Sequence, residues 1–337
     1  MTDEKQVRDL LSKVPYPGFT RDIVSFGIVR AVSVGTEIIV QLVVSTNDTE
    51  VGAKLRSGVE EALGVLPGKP PVKVLVDIQA PVQASSQGPT AIDGVRRVIA
   101  VASGKGGVGK STVSVNLAAA LAGQGLKVGI CDCDLYGPSI ALMCGTNERP
   151  YADAAGKIIP VERHGLKIMS LGLMLEDDAP AILRGPMVTR YTRQFLREVA
   201  WGDLDVLILD LPPGTGDIQL TIVQTVTLAG AVVVTTPQEV ALIDARKAIS
   251  MFQKTNVPIL GIIENMACFI APDGTRHDIF GNGGGSREAD RLKVPFLGSL
   301  PLDPAVRIAA DSGHPVVLSD SANPTSLKIA EIAGKLS

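Results

Sequence analysis

Residues 95–112 read VRRVIAVASGKGGVGKST, a run of apolar and β-branched residues that passes directly into a glycine-rich loop. Gly104, Gly109, Lys110 and Ser111 fit the pattern G-x-x-x-x-G-K-[ST], which predicts a strand, a phosphate-binding loop and the start of a helix. Its glycines let successive backbone N–H groups point at phosphate oxygens, while the lysine neutralises phosphate charge and the serine is a ligand for Mg²⁺. The stretch therefore predicts a nucleotide site built on an α/β sheet.

The sequence that follows alternates apolar strands with longer helical segments. Near-continuous apolar runs are typical of parallel strands that are buried on both faces; they read RRVIAVAS, LKVGICDCD, LDVLILDLP, GAVVVTTP, VPILGIIEN and VPFLGSLP. Helical stretches such as KSTVSVNLAAALAGQG lie between several of them. This alternation predicts an α/β fold with a doubly wound, mostly parallel sheet.

The first part of the chain has a different pattern. Residues 1–80 read as helix, strand, strand, helix and strand, which predicts a small α+β domain. Residues 81–94 are rich in Ser, Gln, Pro and Gly and have no periodic apolar face, as is typical of a linker. We therefore expect a small α+β domain over 1–80, a linker over 81–94 and the phosphate-loop domain over 95–337.

Composition excludes several classes of function. The 32 Lys and Arg residues nearly balance 35 Asp and Glu residues, and aromatic residues make up 4% of the chain, so we expect no nucleic-acid partner. A helix that spans a bilayer needs about 18 apolar residues, and no apolar run approaches that length. Because the first residues are also charged, we expect a cytoplasmic protein without a membrane partner. Four cysteines are too few for a disulfide framework.

Acidic residues follow two of the apolar runs. Asp132 and Asp134 come at the end of LKVGICDCD, and Asp210 ends LDVLILD. Ligands bind at the carboxyl ends of strands in open α/β sheets, so Asp210 is predicted to hold Mg²⁺ or its water ligands. For Asp132 a turn or capping role remains open beside a role in the site. The loop PPGTG, residues 212–216, is either a rigid turn or a sensor of the γ-phosphate.

Several motifs resemble one known family of ATPases. Lys105 in GKGGVGKST resembles the signature lysine of the deviant Walker A loop in MinD/ParA-type ATPases. The segments DCDLYGPS, RGPM, DLPPGTGD, TTPQEVAL, ENM and FGNGGG resemble the Mrp/ApbC branch, whose members are cytoplasmic iron–sulfur cluster carriers. The resemblance covers residues 95–337, and the first 80 residues resemble the small domain that precedes the ATPase in many bacterial members.

The resemblance implies a homodimeric ATPase that hydrolyses ATP slowly with Mg²⁺ and that carries a [4Fe–4S] cluster to apoproteins or works with assembly factors. It implies catalytic roles for Lys105, which reaches the partner's nucleotide, for Lys110, and for Asp134, which orients the attacking water. Ser111 and Asp210 would hold Mg²⁺. The implied nucleotide-binding residues are Gly104, Lys105, Gly106, Gly107, Val108, Gly109, Lys110, Ser111, Thr112 and, at the adenine, Asn265.

One departure from that family concerns the cluster. Family members usually have C-x-x-C just after ENM, whereas this chain has Ala271 where the first of those cysteines belongs and no second one. Cys268 is displaced by three positions and is the candidate cluster ligand that remains. Packing is favoured over metal ligation for Cys131 and Cys133. The alternative function is therefore a nucleotide-switched binding protein of MinD/ParA type that carries no cluster.

Overall fold

The computed structural model describes residues 4–17, 22–24, 28–45, 49–66, 70–79, 88–134, 137–154, 156–173 and 185–337 of the chain. The chain divides into two compact units, Met1–Gln87 and Gly88–Ser337. No helix within the described ranges has both the length and the apolar character that crossing a membrane requires.

The first unit is a small sheet covered by two helices. Its elements are α1 (Glu4–Leu11), β1 (Val29–Val34), β2 (Ile38–Ser45), α2 (Thr49–Leu63) and β3 (Val72–Gln79). Strand β2 pairs antiparallel with β1 and parallel with β3. Alternate residues of β2 are buried, because successive side chains of a strand point to opposite faces and the helices cover one of them.

The first strand of the second unit and the glycine-rich loop after it lie within residues 95–112. Its elements in chain order are β4 (Val95–Ala102), α3 (Lys110–Gly123), β5 (Val128–Asp132), α4 (Ile140–Met143), β6 (Tyr151–Ala152), β7 (Ile158–Ile159), β8 (Val161–Arg163), β9 (Leu166–Ser170), a 3₁₀ turn (Leu171–Leu173), α5 (Gly185–Arg197), β10 (Leu204–Asp210), α6 (Asp217–Thr225), β11 (Gly230–Thr235), α7 (Glu239–Lys254), β12 (Ile259–Glu264), β13 (Phe269–Ile270), β14 (Arg276–His277), α8 (Gly284–Leu292), β15 (Phe296–Ser299), α9 (Pro304–Asp311), α10 (Val316–Ser319) and α11 (Pro324–Gly334).

An 8-stranded sheet forms the centre of this unit, with strand order β15-β12-β11-β4-β10-β5-β9-β8. Every pairing in it is parallel except that of β8 with β9, which confirms the predicted doubly wound, mostly parallel sheet. The sequence did not predict β8 and β9. They form a hairpin whose turn residues, His164 and Gly165, both have positive φ, an arrangement that the sequence letters His-Gly signal poorly.

Helix α3 is apolar on nearly all sides because both of its faces are covered. Its buried residues include Val113, Val115, Leu117 and Leu121, which share one core with the β strands and with the C-terminal helices. A helix that is enclosed in this way does not show a one-sided apolar stripe. The burial fixes α3, and therefore its first residue Lys110, against the centre of the sheet.

The loop between β4 and α3 contains both crowded and open glycines. A Cβ atom at Gly104 would collide with the backbone of Asp244 and Ala245 in α7, whereas a Cβ atom at Gly106 or Gly107 would meet no atom within 4 Å. Gly104 therefore allows the loop to pack on α7. Gly106 and Gly107 form an open cradle that precedes the amino end of α3.

Some predicted features fall outside the described residues. These are residues 81–87 of the predicted linker, Arg184 of the RGPM motif, and Leu135 and Tyr136 of DCDLYGPS. The remaining linker residues, 88–94, lie in the second unit, where Thr90 pairs with Val226. The domain bounds 1–80, 81–94 and 95–337 remain a proposal.

Gly104 and Gly106 provide a matched test of this packing. We expect Gly104→Ala to lower the free energy of unfolding of the second unit by about 3 kcal/mol, because backbone of α7 must move to admit the methyl group. Gly106→Ala should change it by less than about 1 kcal/mol, since its Cβ enters open space. Urea unfolding followed by the fluorescence of Trp201, the single tryptophan, measures both. Equal stabilities of the two variants would contradict the packing of Gly104.

Candidate functional site

The candidate site lies where three parallel strands end side by side. In the register of the sheet, Asp210 at the end of β10 is paired with Val101 of β4 on one side and with Asp132 of β5 on the other. The phosphate-binding loop leaves β4 at this same edge. The sequence places each acid at a strand end, and the strand order brings them together.

A buried ion pair occupies the centre of the site. Lys110 Nζ lies 2.7 Å from Asp210 Oδ1, and these side chains are 6% and 0% exposed. Ser111 Oγ donates to Asp210 Oδ2 at 2.6 Å, and Lys110 Nζ donates to Ser111 Oγ at 3.1 Å. The structure therefore brings Lys110, Ser111 and Asp210 into direct contact.

Ser114 also contacts Asp210, although the sequence motif does not include this residue. Its Oγ is 2.6 Å from Asp210 Oδ1 and 3.0 Å from the carbonyl oxygen of Lys110, and the residue is fully buried. Residues three and four positions apart lie on one face of a helix. The spacing of Ser114 from Lys110 and Ser111 is the signal that could have identified it.

The oxygen atoms at this centre suit Mg²⁺. Mg²⁺ takes hard oxygen ligands at about 2.0–2.1 Å in octahedral geometry, so that two adjacent ligand atoms lie about 2.9 Å apart. Ser111 Oγ and Asp210 Oδ2 are already 2.6 Å apart. A small separation of the two oxygens would bring them to the spacing of neighbouring magnesium ligands.

Asn265 lies beside the loop and a cavity. Its Nδ2 donates to the carbonyl oxygen of Val108 at 2.9 Å, and a Cβ atom at Gly109 would collide with this amide. Asn265 also lines a cavity of about 310 Å³, together with Met266, Leu300 and several residues from α3 and α9. The structure thus gives Asn265 a contact with the loop backbone, and the predicted contact with adenine remains a proposal.

Asp132 organises the loop that carries Asp134. Its Oδ1 accepts a hydrogen bond from the backbone N–H of Asp134 at 3.1 Å. Its Oδ2 accepts from the N–H groups of Ser139 and Ile140 at 3.0 and 3.2 Å and from Ser170 Oγ at 3.1 Å. The sequence had left a turn role open for Asp132, and these contacts fit such a role. The Asp134 side chain is half-buried at the same strand end.

The electrostatics of the strand ends show how crowded the acids are. Burial, and after it the nearby charge of Asp210, raise the pKa of Asp132 to about 7. The N–H groups of Ile140 and Asp134, together with the charge of Lys110, act in the opposite direction. Lys110 therefore serves two neighbouring carboxyl groups.

Two further predicted features flank the centre. Lys105 is half-buried in the loop, and its carbonyl oxygen accepts a hydrogen bond from Ser103 Oγ at 2.9 Å. In the PPGTG loop, the N–H of Gly214 donates to the carbonyl oxygen of Ser103 at 2.9 Å. The phosphate-binding loop and the PPGTG loop are thus joined through Ser103. A γ-phosphate-sensing role for the PPGTG loop remains a prediction.

None of the cysteines presents a thiol at the surface of the second unit, to which all of them belong. Cys131, Cys133, Cys144 and Cys268 are free and buried. The pKa of Cys133 is raised by its contact with Cys131, whose sulfur lies 3.9 Å away, and by burial, while burial raises the pKa of Cys144 to about 12. Within the described ranges, no group of three or more His, Cys, Asp or Glu residues could hold a metal ion.

Comparisons with known proteins match both units. A family model described as NUBPL iron-transfer P-loop NTPase matches residues 94–337, and one described as iron–sulfur cluster assembly protein matches residues 4–76. The iron–sulfur cluster carrier protein of Synechocystis sp. is 42% identical, and the alignment covers 98% of this chain and 97% of that protein.

Solved structures agree with these matches. A nucleotide-binding protein of Archaeoglobus fulgidus, solved in complex with ADP, is 40% identical to this chain and superposes with a TM-score of 0.61. The match covers 70% of this chain and 92% of that protein. The cell division ATPase MinD of Pyrococcus furiosus has a TM-score of 0.56 at 22% identity over 72% of this chain and 98% of its own, which shows a shared fold.

These matches confirm the resemblance to the cluster-carrier branch of the MinD/ParA-type ATPases. The site geometry agrees with them, because Lys110, Ser111 and Asp210 meet at the amino end of α3. The chain belongs to the family of NUBPL-type iron-transfer P-loop NTPases.

Proposed function

We propose that this chain is a homodimeric ATPase that binds ATP with Mg²⁺, hydrolyses it slowly and assists the delivery of iron–sulfur clusters to apoproteins. The observation that carries the nucleotide chemistry is the buried contact of Lys110, Ser111 and Asp210 at the end of the glycine-rich loop. The role in cluster delivery is supported by the relatives that align over nearly the whole chain.

Binding of ATP replaces contacts within the site. The triphosphate occupies the cradle at Gly106 and Gly107, where backbone N–H groups and the positive end of α3 attract anions. Lys110 would then leave Asp210 for the phosphates, and Ser111 and Asp210 are the residues that would hold Mg²⁺. When bound, Mg²⁺ neutralises phosphate charge. Asn265 keeps the loop closed at Val108 while the base enters the adjacent cavity.

Hydrolysis requires a group that orients water, and we assign this role to Asp134. Its backbone N–H donates to Asp132 Oδ1 directly after β5, and its side chain is half-buried. Holding phosphate and orienting water use different side chains. Loss of the Asp134 carboxylate should therefore stop hydrolysis while nucleotide still binds.

A dimer completes the site by supplying a second lysine. Lys110 already provides the lysine that a phosphate-binding loop needs, so Lys105 at the second loop position is free to serve another nucleotide. In an ATP-bridged dimer, Lys105 of one chain would contact the phosphates held by its partner. Each nucleotide then joins both chains, and ATP should favour the dimer.

Mixed dimers test this use of Lys105. We expect Lys105→Ala and Asp134→Ala to be inactive alone, and heterodimers of the two to regain up to half of the wild-type rate, because one composite site keeps both groups. The measurement is phosphate release by heterodimers purified with two different tags. Lys254→Ala, at the far end of α7, is a matched lysine control that should keep full activity. Verified heterodimers without activity would exclude action of Lys105 across the dimer.

Cluster carriage by this chain's own thiols finds less support than the ATPase. A [4Fe–4S] cluster shared by two chains takes four thiolates, two from each chain. Cys268 is the cysteine closest in sequence to the usual ligand position, and it is only 8% exposed. This observation favours the second candidate, in which the ATPase switches the binding of a partner that itself holds the cluster.

Anaerobic reconstitution with iron and sulfide separates these two candidates. We expect substoichiometric iron and weak visible absorption, with ATP hydrolysis unchanged in Cys268→Ala and in the matched buried control Cys144→Ala. Iron content and absorption spectra measure cluster binding. A stable, stoichiometric cluster that is lost in Cys268→Ala and kept in Cys144→Ala would instead establish direct carriage through Cys268.

A further inference from the structure

We propose that Ser114 is a positioning residue for the magnesium-binding carboxylate, holding Asp210 Oδ1 so that Oδ2 remains available to the metal. The inference rests on the proposed function, because it concerns how the same site binds Mg²⁺ with ATP. It adds a residue of α3 that the phosphate-binding motif does not contain.

The geometry gives Ser114 one strong acceptor. Its Oγ lies 2.6 Å from Asp210 Oδ1 and 3.0 Å from the carbonyl oxygen of Lys110. A hydroxyl group has one proton to donate, and hydrogen bonds to a carboxylate are shorter and stronger than those to a neutral carbonyl. The hydroxyl of Ser114 therefore donates to Asp210.

Unlike the other donors to Asp210, Ser114 is not needed by the phosphates or by Mg²⁺ when ATP binds. Lys110 and Ser111 contact the same carboxylate, but both are needed by the phosphates and by Mg²⁺ once ATP binds. Ser114 lies one helical turn further along α3, is 0% exposed and has no access to the cradle. It is the donor that can stay with Asp210 in both states.

The two oxygens of Asp210 are consequently divided between two tasks. Ser114 contacts Oδ1, whereas Ser111, the predicted magnesium ligand, contacts Oδ2. A carboxylate that is fixed at one oxygen presents the other in a constant direction. Residues that orient a metal ligand in this way typically change metal affinity by about 10–100-fold when they are removed.

The test compares ATP binding in EDTA with ATP binding across a Mg²⁺ titration, using the full chain and a fluorescent ATP analogue. We expect Ser114→Ala to bind the analogue normally in EDTA but to need roughly tenfold more Mg²⁺ for half-maximal effect. Ser114→Thr, which keeps the hydroxyl, should restore the wild-type Mg²⁺ requirement. Ser326→Ala is the matched control, since Ser326 is a buried helical serine that bonds the carbonyl oxygen of Val316.

The outcomes distinguish failure of this inference from failure of the proposed function. Wild-type protein that fails to bind the analogue with Mg²⁺ would overturn both. A normal Mg²⁺ requirement in Ser114→Ala, with a wild type that responds to Mg²⁺, overturns the positioning role alone. Should Ser114→Ala not fold, Ser114→Cys keeps the volume with a weak donor; a raised Mg²⁺ requirement in that variant supports the role and an unchanged one overturns it.

Discussion

The ion pair between Lys110 and Asp210 is the contact on which the centre of the second unit depends. It joins the first residue of α3 to the last residue of β10, and both side chains are almost completely buried. Burying two charges is costly, and removing one partner of such a pair leaves an uncompensated charge that typically costs about 3–5 kcal/mol. Ser111 and Ser114 supply further hydrogen bonds that help to offset this cost.

The same ion pair connects stability with nucleotide binding. In the proposed function, Lys110 must leave its counter-ion before it can hold phosphate, so ATP would compete with Asp210 for Lys110. Mg²⁺ would then replace the lysine as the cation beside Asp210. Burial and the neighbouring charge of Asp210 raise the pKa of Asp132 to about 7, since both disfavour the charged form of its carboxyl group.

Much of this architecture was predictable from local sequence. The central strands are continuous apolar runs, and the phosphate-binding loop follows a motif of fixed spacing. What the sequence did not reveal depends on tertiary contacts. The hairpin of β8 and β9 is short, Ser114 acquires its role because α3 packs against the end of β10, and Asn265 contacts Val108 across more than a hundred residues.

The competition between ATP and Asp210 for Lys110 is tested most directly by measuring ATP affinity of wild type and Asp210→Asn, with Mg²⁺ and with EDTA. Asparagine lacks the negative charge that contacts Lys110 in the structure. Asp210→Asn should therefore bind ATP more tightly than wild type in EDTA, and Mg²⁺ should strengthen ATP binding in wild type alone. Equal affinities in EDTA, together with an intact response of Asp210→Asn to Mg²⁺, would contradict the account.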